Sequence, residues 1–124
     1  MIRVLVVDDS TFMRRSLKET LEKEKDIQVV DTAKDGEEAL RKAASQEIDV
    51  ITLDVEMPKL NGLETLKKLM ATNPLPVIMV SSLTEDGAES TLKAMEYGAQ
   101  DFIPKTMSND KEAFGKELRR KVRA

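Results

Sequence analysis

The sequence predicts an α/β domain in which five parallel strands alternate with five helices. The first observation is a set of five short runs of apolar or β-branched residues, continuous rather than alternating, along the 124 residues. Continuous apolar strands are typical of a parallel sheet that helices cover on both faces. The second observation is that the segments between these runs carry apolar residues three or four positions apart, which predicts amphipathic helices. The third is length, because 124 residues suit one domain.

The first half of the chain contains three of the predicted strands, at residues 4–7, 27–33 and 48–53. A helix over roughly residues 11–24 follows the first strand, and Ser10 or Asp9 is placed to cap it. A second helix begins at Asp35-Gly36. Periodicity assigns an inward face to each helix: Met13, Leu17 and Leu21 in the first, and Ala39, Leu40, Ala43 and Ala44 in the second.

The second half of the chain continues the alternation with three helices and two strands. The third helix is expected to end at Asn73-Pro74, because the residue before a proline disfavours helical backbone. Strands at residues 76–80 and 99–103 enclose a helix at about 85–97, with Gly98 as its left-handed C-cap. Pro104 suits an edge strand, since proline has no N–H to donate. The inward residues are expected to be Leu63, Leu66, Leu69 and Met70, then Ala88, Leu92 and Met95, then Phe114, Leu118 and Val122.

The strand order follows from the connections between the strands. Strand–helix–strand connections in one parallel sheet are right-handed, which leaves few topologies. We predict the flavodoxin-like strand order 2-1-3-4-5, with helices on both faces and a ligand crevice between strands one and three. The whole chain, residues 1–124, is expected to form this one domain.

Residue types that are missing from the sequence exclude several kinds of site. There is no Cys and no His, which excludes disulfides, thiolate nucleophiles, imidazole bases and the usual zinc ligands. A bound metal is therefore expected to be a hard, oxygen-seeking ion, Mg²⁺ or Mn²⁺. The net charge of −3 argues against nucleic acid as a partner. No apolar run reaches the length of a membrane span and no signal-peptide pattern opens the chain, so we expect a cytoplasmic protein without membrane insertion.

Polar groups end four of the five predicted strands: Asp8-Asp9, Asp54, Ser81 and Lys105. In a parallel sheet these ends meet at one edge, where open α/β sheets bind their ligands. Three carboxylates gathered there repel one another, so either a cation is bound or the pKa of at least one carboxyl rises. A divalent ion relieves the repulsion, and its open coordination positions suit a phosphate oxygen.

A carboxylate nucleophile, a Mg²⁺ site, a lysine and a hydroxyl together suit phosphoryl transfer. Asp54 is expected to attack phosphorus and form an acyl phosphate. Lys105 is expected to neutralise one phosphoryl oxygen, and Ser81 to donate a hydrogen bond to another. Taken singly, each residue has an ordinary explanation as a helix-capping or turn acid, a solvated lysine or a turn serine. Their shared position at the ends of different strands favours a site.

These motifs resemble the receiver domain of bacterial two-component response regulators. The resemblance rests on VLVVDD at residues 4–9, DVEMP at 54–58 with Gly62, and Val80-Ser81 with Lys105, and it covers nearly the whole chain. The roles that the resemblance implies are Asp54 as phosphoacceptor, Asp8, Asp9, Asp54 and the main-chain carbonyl of Glu56 as metal ligands, and Ser81 and Phe102 as switch residues.

Further motifs are similar to one subgroup, the regulatory domain of the chemotaxis protein-glutamate methylesterase. They are DSTFMR at residues 9–14, PVIMVSSLT at 76–84 and GAQDF at 98–102. The similarity implies a chemotaxis histidine kinase as phosphodonor and a C-terminal methylesterase domain, absent from this chain, that acts on chemoreceptors. This fragment is then expected to be regulatory, with only Mg²⁺-dependent self-phosphorylation and dephosphorylation. The full-length protein would be a protein-glutamate methylesterase and protein-glutamine glutaminase.

One position departs from the pattern of the response regulator family. The family usually has proline after the lysine, joined to it by a cis peptide bond, whereas Thr106 follows Lys105 here. A cis bond before a residue other than proline costs about 2.5–4 kcal/mol. Either the loop carries that strain or Lys105 reaches the site by another path.

Three other functions stay open on the sequence alone: a stand-alone chemotaxis-type receiver, a haloacid-dehalogenase-like phosphatase and a flavin electron-transfer domain. Dehalogenase-like enzymes resemble Asp-x-Asp-x-Thr after strand one, whereas residues 8–11 read DDST, and 124 residues leave no room for a cap domain. A flavin phosphate would need hydroxyls and backbone donors where the first loop of this chain is acidic.

Overall fold

The computed structural model describes residues 1–55, 57, 61–81, 85–104 and 111–124, with the backbone alone at 81, 85–88, 90 and 111. Strands and helices alternate along these residues. The strands are β1 (Ile2–Val7), β2 (Ile27–Ala33), β3 (Val50–Asp54), β4 (Val77–Ser81) and β5 (Asp101–Pro104). The helices are α1 (Thr11–Glu22), α2 (Gly36–Ser45), α3 (Gly62–Thr72), α4 (Glu85–Glu96) and α5 (Lys111–Arg123).

The five strands form one parallel sheet in the order β2-β1-β3-β4-β5, which confirms the predicted fold. The central strands β1 and β3 are neighbours, with Val7 aligned to Leu53. On the other side of β3, Asp54 is aligned to Val80 of β4. The residues that follow β1 therefore lie beside the last residue of β3, at the carboxyl edge of the sheet. Pro104 ends β5, which is an edge strand as expected.

Two apolar layers fill the space between the sheet and the helices. One layer joins side chains of α1 and α5 to alternate residues of the strands, including Val4, Val6, Val50 and Ile78. The other layer joins α2, α3 and α4 to the intervening strand residues, such as Leu5, Ile51 and Met79. Both faces of the central strands are thus buried, which explains why their sequences are continuously apolar.

Polar side chains cap the helices that begin at the carboxyl edge of the sheet. The Ser10 hydroxyl accepts a hydrogen bond from the Met13 amide at 3.2 Å, and the Asp35 carboxylate accepts one from the Glu38 amide at 2.8 Å. Asn61 caps α3 in the same way. Such a cap contributes about 1 kcal/mol. Because Ser10 rather than Asp9 caps α1, the carboxylate of Asp9 is left for another role.

The predicted inward face of α4 is wrong. Leu92 is 69% exposed and Met95 is 41% exposed, whereas Thr91 and Ala94 are buried. The side chain of Ala88, the third predicted inward residue, lies outside the described part of the chain. Leu92 and Met95 are three residues apart, as Thr91 and Ala94 are, so periodicity could not separate the two pairs, and hydrophobicity favoured the longer side chains. The smaller residues lie on the face of α4 that packs over β4.

The remaining differences from the sequence prediction are small. Ala44, expected on the inward face of α2, is exposed, while Ala39 and Ala43 are buried. Strands β3, β4 and β5 each begin and end one or two residues later than predicted, so Asp54 is the last residue of its strand. Gly98 adopts φ 108°, which confirms the left-handed turn after α4. None of the helices that the structure describes has the length and apolarity needed to cross a membrane.

Thr52 is a fully buried polar residue in the middle of the sheet, aligned with Val6 on one side and Ile78 on the other. Within the described part of the chain, its hydroxyl oxygen has no hydrogen-bond partner. A buried hydroxyl without a partner opposes folding, since its hydrogen bonds to water are lost.

Thr52→Val is expected to raise the free energy of unfolding by about 1 kcal/mol, because valine has a similar shape and no group to desolvate. Denaturant unfolding of the two proteins measures the difference. Thr65→Val is the matched control, since Thr65 is also fully buried but donates its hydroxyl to the Asn61 carbonyl at 2.8 Å. That control is expected to be less stable than wild type, and a shift of both variants in the same direction would contradict the explanation.

Candidate metal and phosphoryl-transfer site

Three carboxylates meet where β1 and β3 end. Asp8 follows β1 directly and Asp54 is the last residue of β3, and they are 0% and 1% exposed. Asp9, next to Asp8, is exposed. One carboxylate oxygen from each of the three lies within 4.8 Å of the others. The structure therefore brings together the three acids that the sequence analysis selected, between the two strands that it predicted.

The turn between β1 and α1 holds Asp8 through both its backbone and its side chain. The Asp8 amide donates to the Ala33 carbonyl of β2 at 3.0 Å. Its carboxylate accepts a hydrogen bond from the Ser10 amide at 2.9 Å. Its carbonyl accepts one from Nη1 of Arg14 at 2.7 Å. Sequence reasoning gave Arg14 no role, because a contact of a helix side chain with the preceding turn leaves no signature in spacing.

The chemistry of this cluster suits a small divalent cation. Three negative groups at this separation repel one another, and two of them are buried, where water screens them poorly. All three offer oxygen, the ligand atom that Mg²⁺ and Mn²⁺ take in proteins. Asp9 is exposed, so the cluster is open to solvent at this residue and a further ligand can reach it from solution. The residues present thus fit a hard divalent ion.

Gly62, the first residue of α3, packs directly against the end of β3. Its amide donates to the Val55 carbonyl at 2.9 Å. A Cβ atom at this position would lie 2.2 Å from the Asp54 carbonyl oxygen and 2.7 Å from Cα of Val55. These are backbone atoms, which cannot swing away as a side chain would. Glycine is therefore required here by close approach, a reason that the sequence motif alone did not supply.

The other predicted site residues are described only in part. Ser81 ends β4 opposite Pro104, so its backbone lies at the same edge as the acids. Glu56, Lys105 and the Lys105–Thr106 peptide bond lie outside the described residues.

Phe102, the predicted switch aromatic, lies on β5 and is half-buried against the apolar layer beneath α4. Nζ of Lys121 lies 5.2 Å from the centre of the Phe102 ring. The same amine donates a hydrogen bond to the Phe102 carbonyl. The ring is thus held between the core and a cation of α5.

Comparison with known proteins agrees with this geometry. Residues 4–113 match the family model described as the response regulator receiver domain. The chain belongs to this family. The matched residues include Asp8, Asp9 and Asp54.

Individual relatives show which members of the family this chain resembles. A protein-glutamate methylesterase/protein-glutamine glutaminase of Oleidesulfovibrio alaskensis is 54% identical over 127 residues, which cover 100% of this chain and 34% of that protein. The chain thus spans about one third of the length of the curated relatives it matches first. The response regulator domain of Thermotoga maritima CheB superposes with a TM-score of 0.90 and 52% identity, covering 99% of this chain and 94% of that one.

A second similar structure is a Borrelia burgdorferi complex described as CheX-CheY-BeF₃-Mg²⁺. It superposes with a TM-score of 0.76 and 33% identity, over 90% of this chain and 86% of that one. A structurally similar protein has therefore been solved in a complex that contains Mg²⁺.

Gly62→Ala is expected to lower the free energy of unfolding by about 3 kcal/mol, because the new methyl group must displace the backbone of β3 at Asp54. Thermal and denaturant unfolding measure the loss. Gly115→Ala in α5 is the control, since the atom nearest to its Cβ is the movable tip of Arg119 at 2.8 Å. Equal stability of Gly62→Ala and wild type would show that the close approach is not a constraint.

Proposed function

We propose that this domain is a phosphorylation-controlled switch in which Asp54 accepts a phosphoryl group from a chemotaxis histidine kinase. The observation that carries the proposal is the meeting of Asp54 with Asp8 and Asp9 at the carboxyl edge of the sheet. Membership in the receiver family supports it. The sequence of residues 8–11 also lacks the Asp-x-Asp-x-Thr pattern of the dehalogenase-like phosphatases, the competing enzyme class on a similar sheet.

The proposed reaction is a transfer between two side chains. A carboxylate oxygen of Asp54 attacks the phosphorus of a phosphohistidine on the kinase, forming a P–O bond while the P–N bond breaks. The imidazole leaves with the electron pair of that bond and takes up a proton from water. The product is an acyl phosphate on Asp54.

The acids beside Asp54 would hold the metal that the reaction needs. We assign Asp8, Asp9 and Asp54, with the main-chain carbonyl of Glu56, as ligands of Mg²⁺ or Mn²⁺. When bound, the ion neutralises charge on the phosphoryl oxygens. Support comes from the oxygen-only donor set and from the related Borrelia structure that contains Mg²⁺.

The response to phosphorylation is assigned to the neighbouring strands. Lys105 would neutralise a second phosphoryl oxygen, and Ser81 would donate a hydrogen bond to a third. Movement of Ser81 toward the phosphoryl group would let Phe102 turn further inward, which shifts the population between two conformations. The half-buried position of Phe102 beside the layer beneath α4 supports this role.

The output is proposed to be control of an attached methylesterase domain. The curated relatives are protein-glutamate methylesterase/protein-glutamine glutaminases of which this chain covers about a third. The whole protein would then be a cytoplasmic hydrolase that acts on chemoreceptors. We place the restraining face within residues 82–106. The exposed apolar side chains Leu92 and Met95 on α4 support that placement, since apolar side chains at a surface favour a protein partner.

Asp54→Asn is expected to gain no phosphoryl group from acetyl phosphate and Mg²⁺, because the amide is not a nucleophile. Intact-protein mass spectrometry checks this directly. The variant should melt at a higher temperature than wild type without metal, because one of three mutually repelling carboxylates is gone. A melt that shows this would establish that the loss of labelling does not result from unfolding. Asp31→Asn is the control, since Asp31 of β2 pairs with Lys42 of α2. Full labelling of Asp54→Asn would refute the assignment.

The regulatory output is tested on the two-domain protein by an esterase assay with and without acetyl phosphate. Wild type is expected to become several-fold more active on phosphorylation, because the receiver then releases the esterase site. Asp54→Asn should stay at the basal rate, and Ser81→Ala should respond less than wild type. Equal activity in all six conditions would remove the regulatory claim and favour a stand-alone receiver.

A further inference from the structure

Arg14, the fourth residue of α1, contacts the segment that precedes its own helix. Its side chain runs back toward the helix N-terminus, and Nη1 donates to the Asp8 carbonyl at 2.7 Å. Nη2 donates to the Thr11 hydroxyl at 3.0 Å. The planar guanidinium thus links Thr11, the first residue of α1, to Asp8, the residue that follows β1. Two bonds in a fixed fork restrain direction as well as distance.

Electrostatics alone does not explain the position of this cation. The N-terminal end of a helix carries partial positive charge, so a cation near it is repelled. A bound divalent ion between Asp8, Asp9 and Asp54 would repel it as well. The three carboxylates attract it when no metal is bound. The two hydrogen bonds give the guanidinium a fixed geometry, which attraction between charges alone does not.

The contact with Asp8 completes the immobilisation of the turn that bears two of the acids. The Asp8 amide is held by the Ala33 carbonyl of β2, and its carboxylate accepts from the Ser10 amide. Arg14 holds the carbonyl, which belongs to the peptide group joining Asp8 to Asp9. Rotation of that peptide group would turn the Asp9 side chain relative to Asp8. The guanidinium therefore fixes the orientation of one acid relative to the other.

We propose that Arg14 is a positioning residue for the metal site, which it serves by locking the Asp8–Asp9 peptide group rather than by its charge. This inference rests on the metal site assigned under the proposed function. Residues that orient metal ligands without touching the metal commonly change its affinity by about 10-fold to 100-fold when they are replaced. Arg14 stands in that relation to Asp8 and Asp9.

Charge and positioning predict changes of opposite sign. If Arg14 acts only as a nearby cation, its removal should strengthen binding of a divalent ion, because a repulsion is lost. If it positions the turn, its removal should weaken binding. Arg15 provides the matched control, since it is the next residue on the same helix and is exposed. Within the described part of the chain, Arg15 makes no hydrogen bond or ion pair that could hold the turn.

The experiment is titration of the full chain with Mn²⁺, followed by the electron paramagnetic resonance signal of the free ion. The proteins are wild type, Asp9→Ala, Arg14→Lys, Arg14→Met, Arg15→Lys and Arg15→Met. Arg14→Lys keeps the charge but loses the fork, so both Arg14 variants are expected to bind Mn²⁺ about 10-fold more weakly than wild type. Arg15→Lys should bind as wild type does, and Arg15→Met equally well or slightly more tightly.

The outcomes separate this inference from the metal site itself. Absence of Mn²⁺ binding by wild type, or equal binding by Asp9→Ala, would refute the metal site. Binding by wild type with equal affinities for Arg14→Lys and Arg15→Lys would overturn the positioning role alone. Tighter binding by Arg14→Met would also overturn it, because charge would then be the whole effect.

Thermal melts without metal establish that each variant is folded at the titration temperature. If the Arg14 variants are unfolded there, Thr11→Ala decides the question, since it removes only the partner of Nη2. Thr11→Ala is expected to weaken Mn²⁺ binding by a smaller factor than the Arg14 variants do. An unchanged affinity in Thr11→Ala would overturn the inference.

Discussion

The repulsion among Asp8, Asp9 and Asp54 is the constraint on which the rest of this structure depends. Their carboxylate oxygens lie within 4.8 Å of one another, and two of the three side chains are buried. Such a cluster opposes folding, so favourable contacts elsewhere in the structure must outweigh the repulsion. The parallel register of β1 and β3 brings the acids to one edge, and apolar layers on both faces of these strands stabilise that register. The same repulsion favours binding of a cation at the site.

The helices that begin at this edge reduce the repulsion and stiffen the site. Both α1 and α3 start within a few residues of the acids, so the positive ends of their dipoles lie on the carboxylate side of the sheet. Ser10 and Asn61 cap these helices with their own side chains, so the capping residue of each helix is not one of the three acids. Gly62 lets α3 approach the end of β3 at backbone contact distance. Arg14 ties the turn of β1 to α1. Rigid placement of this kind suits phosphoryl transfer, where positioning and charge neutralisation provide most of the catalysis.

The proposed path from the site to a partner leads through β4, β5 and α4. Asp54 is aligned with Val80 of β4, and β4 is paired along its length with β5, which carries Phe102. Small buried residues in α4 leave Leu92 and Met95 on the surface. A change at the end of β4 can therefore reach a partly apolar surface through one neighbouring strand and the helix above it. In our proposal, this surface contacts the part of the whole protein that corresponds to the two thirds of the longer relatives that this chain does not cover.

Sequence alone determined the strand order, the edge at which the acids meet and the identity of those acids. Continuous apolar runs identify strands buried on both faces, and right-handed connections leave few ways to arrange them. The inward face of α4, the need for glycine at position 62 and the contact of Arg14 with Asp8 required the tertiary structure. The physical reason is that periodicity encodes which side of an element is apolar, but not how closely its neighbour approaches. Thr91 and Leu92 begin stripes of equal spacing, and only the packing of α4 against β4 determines which of the two is buried.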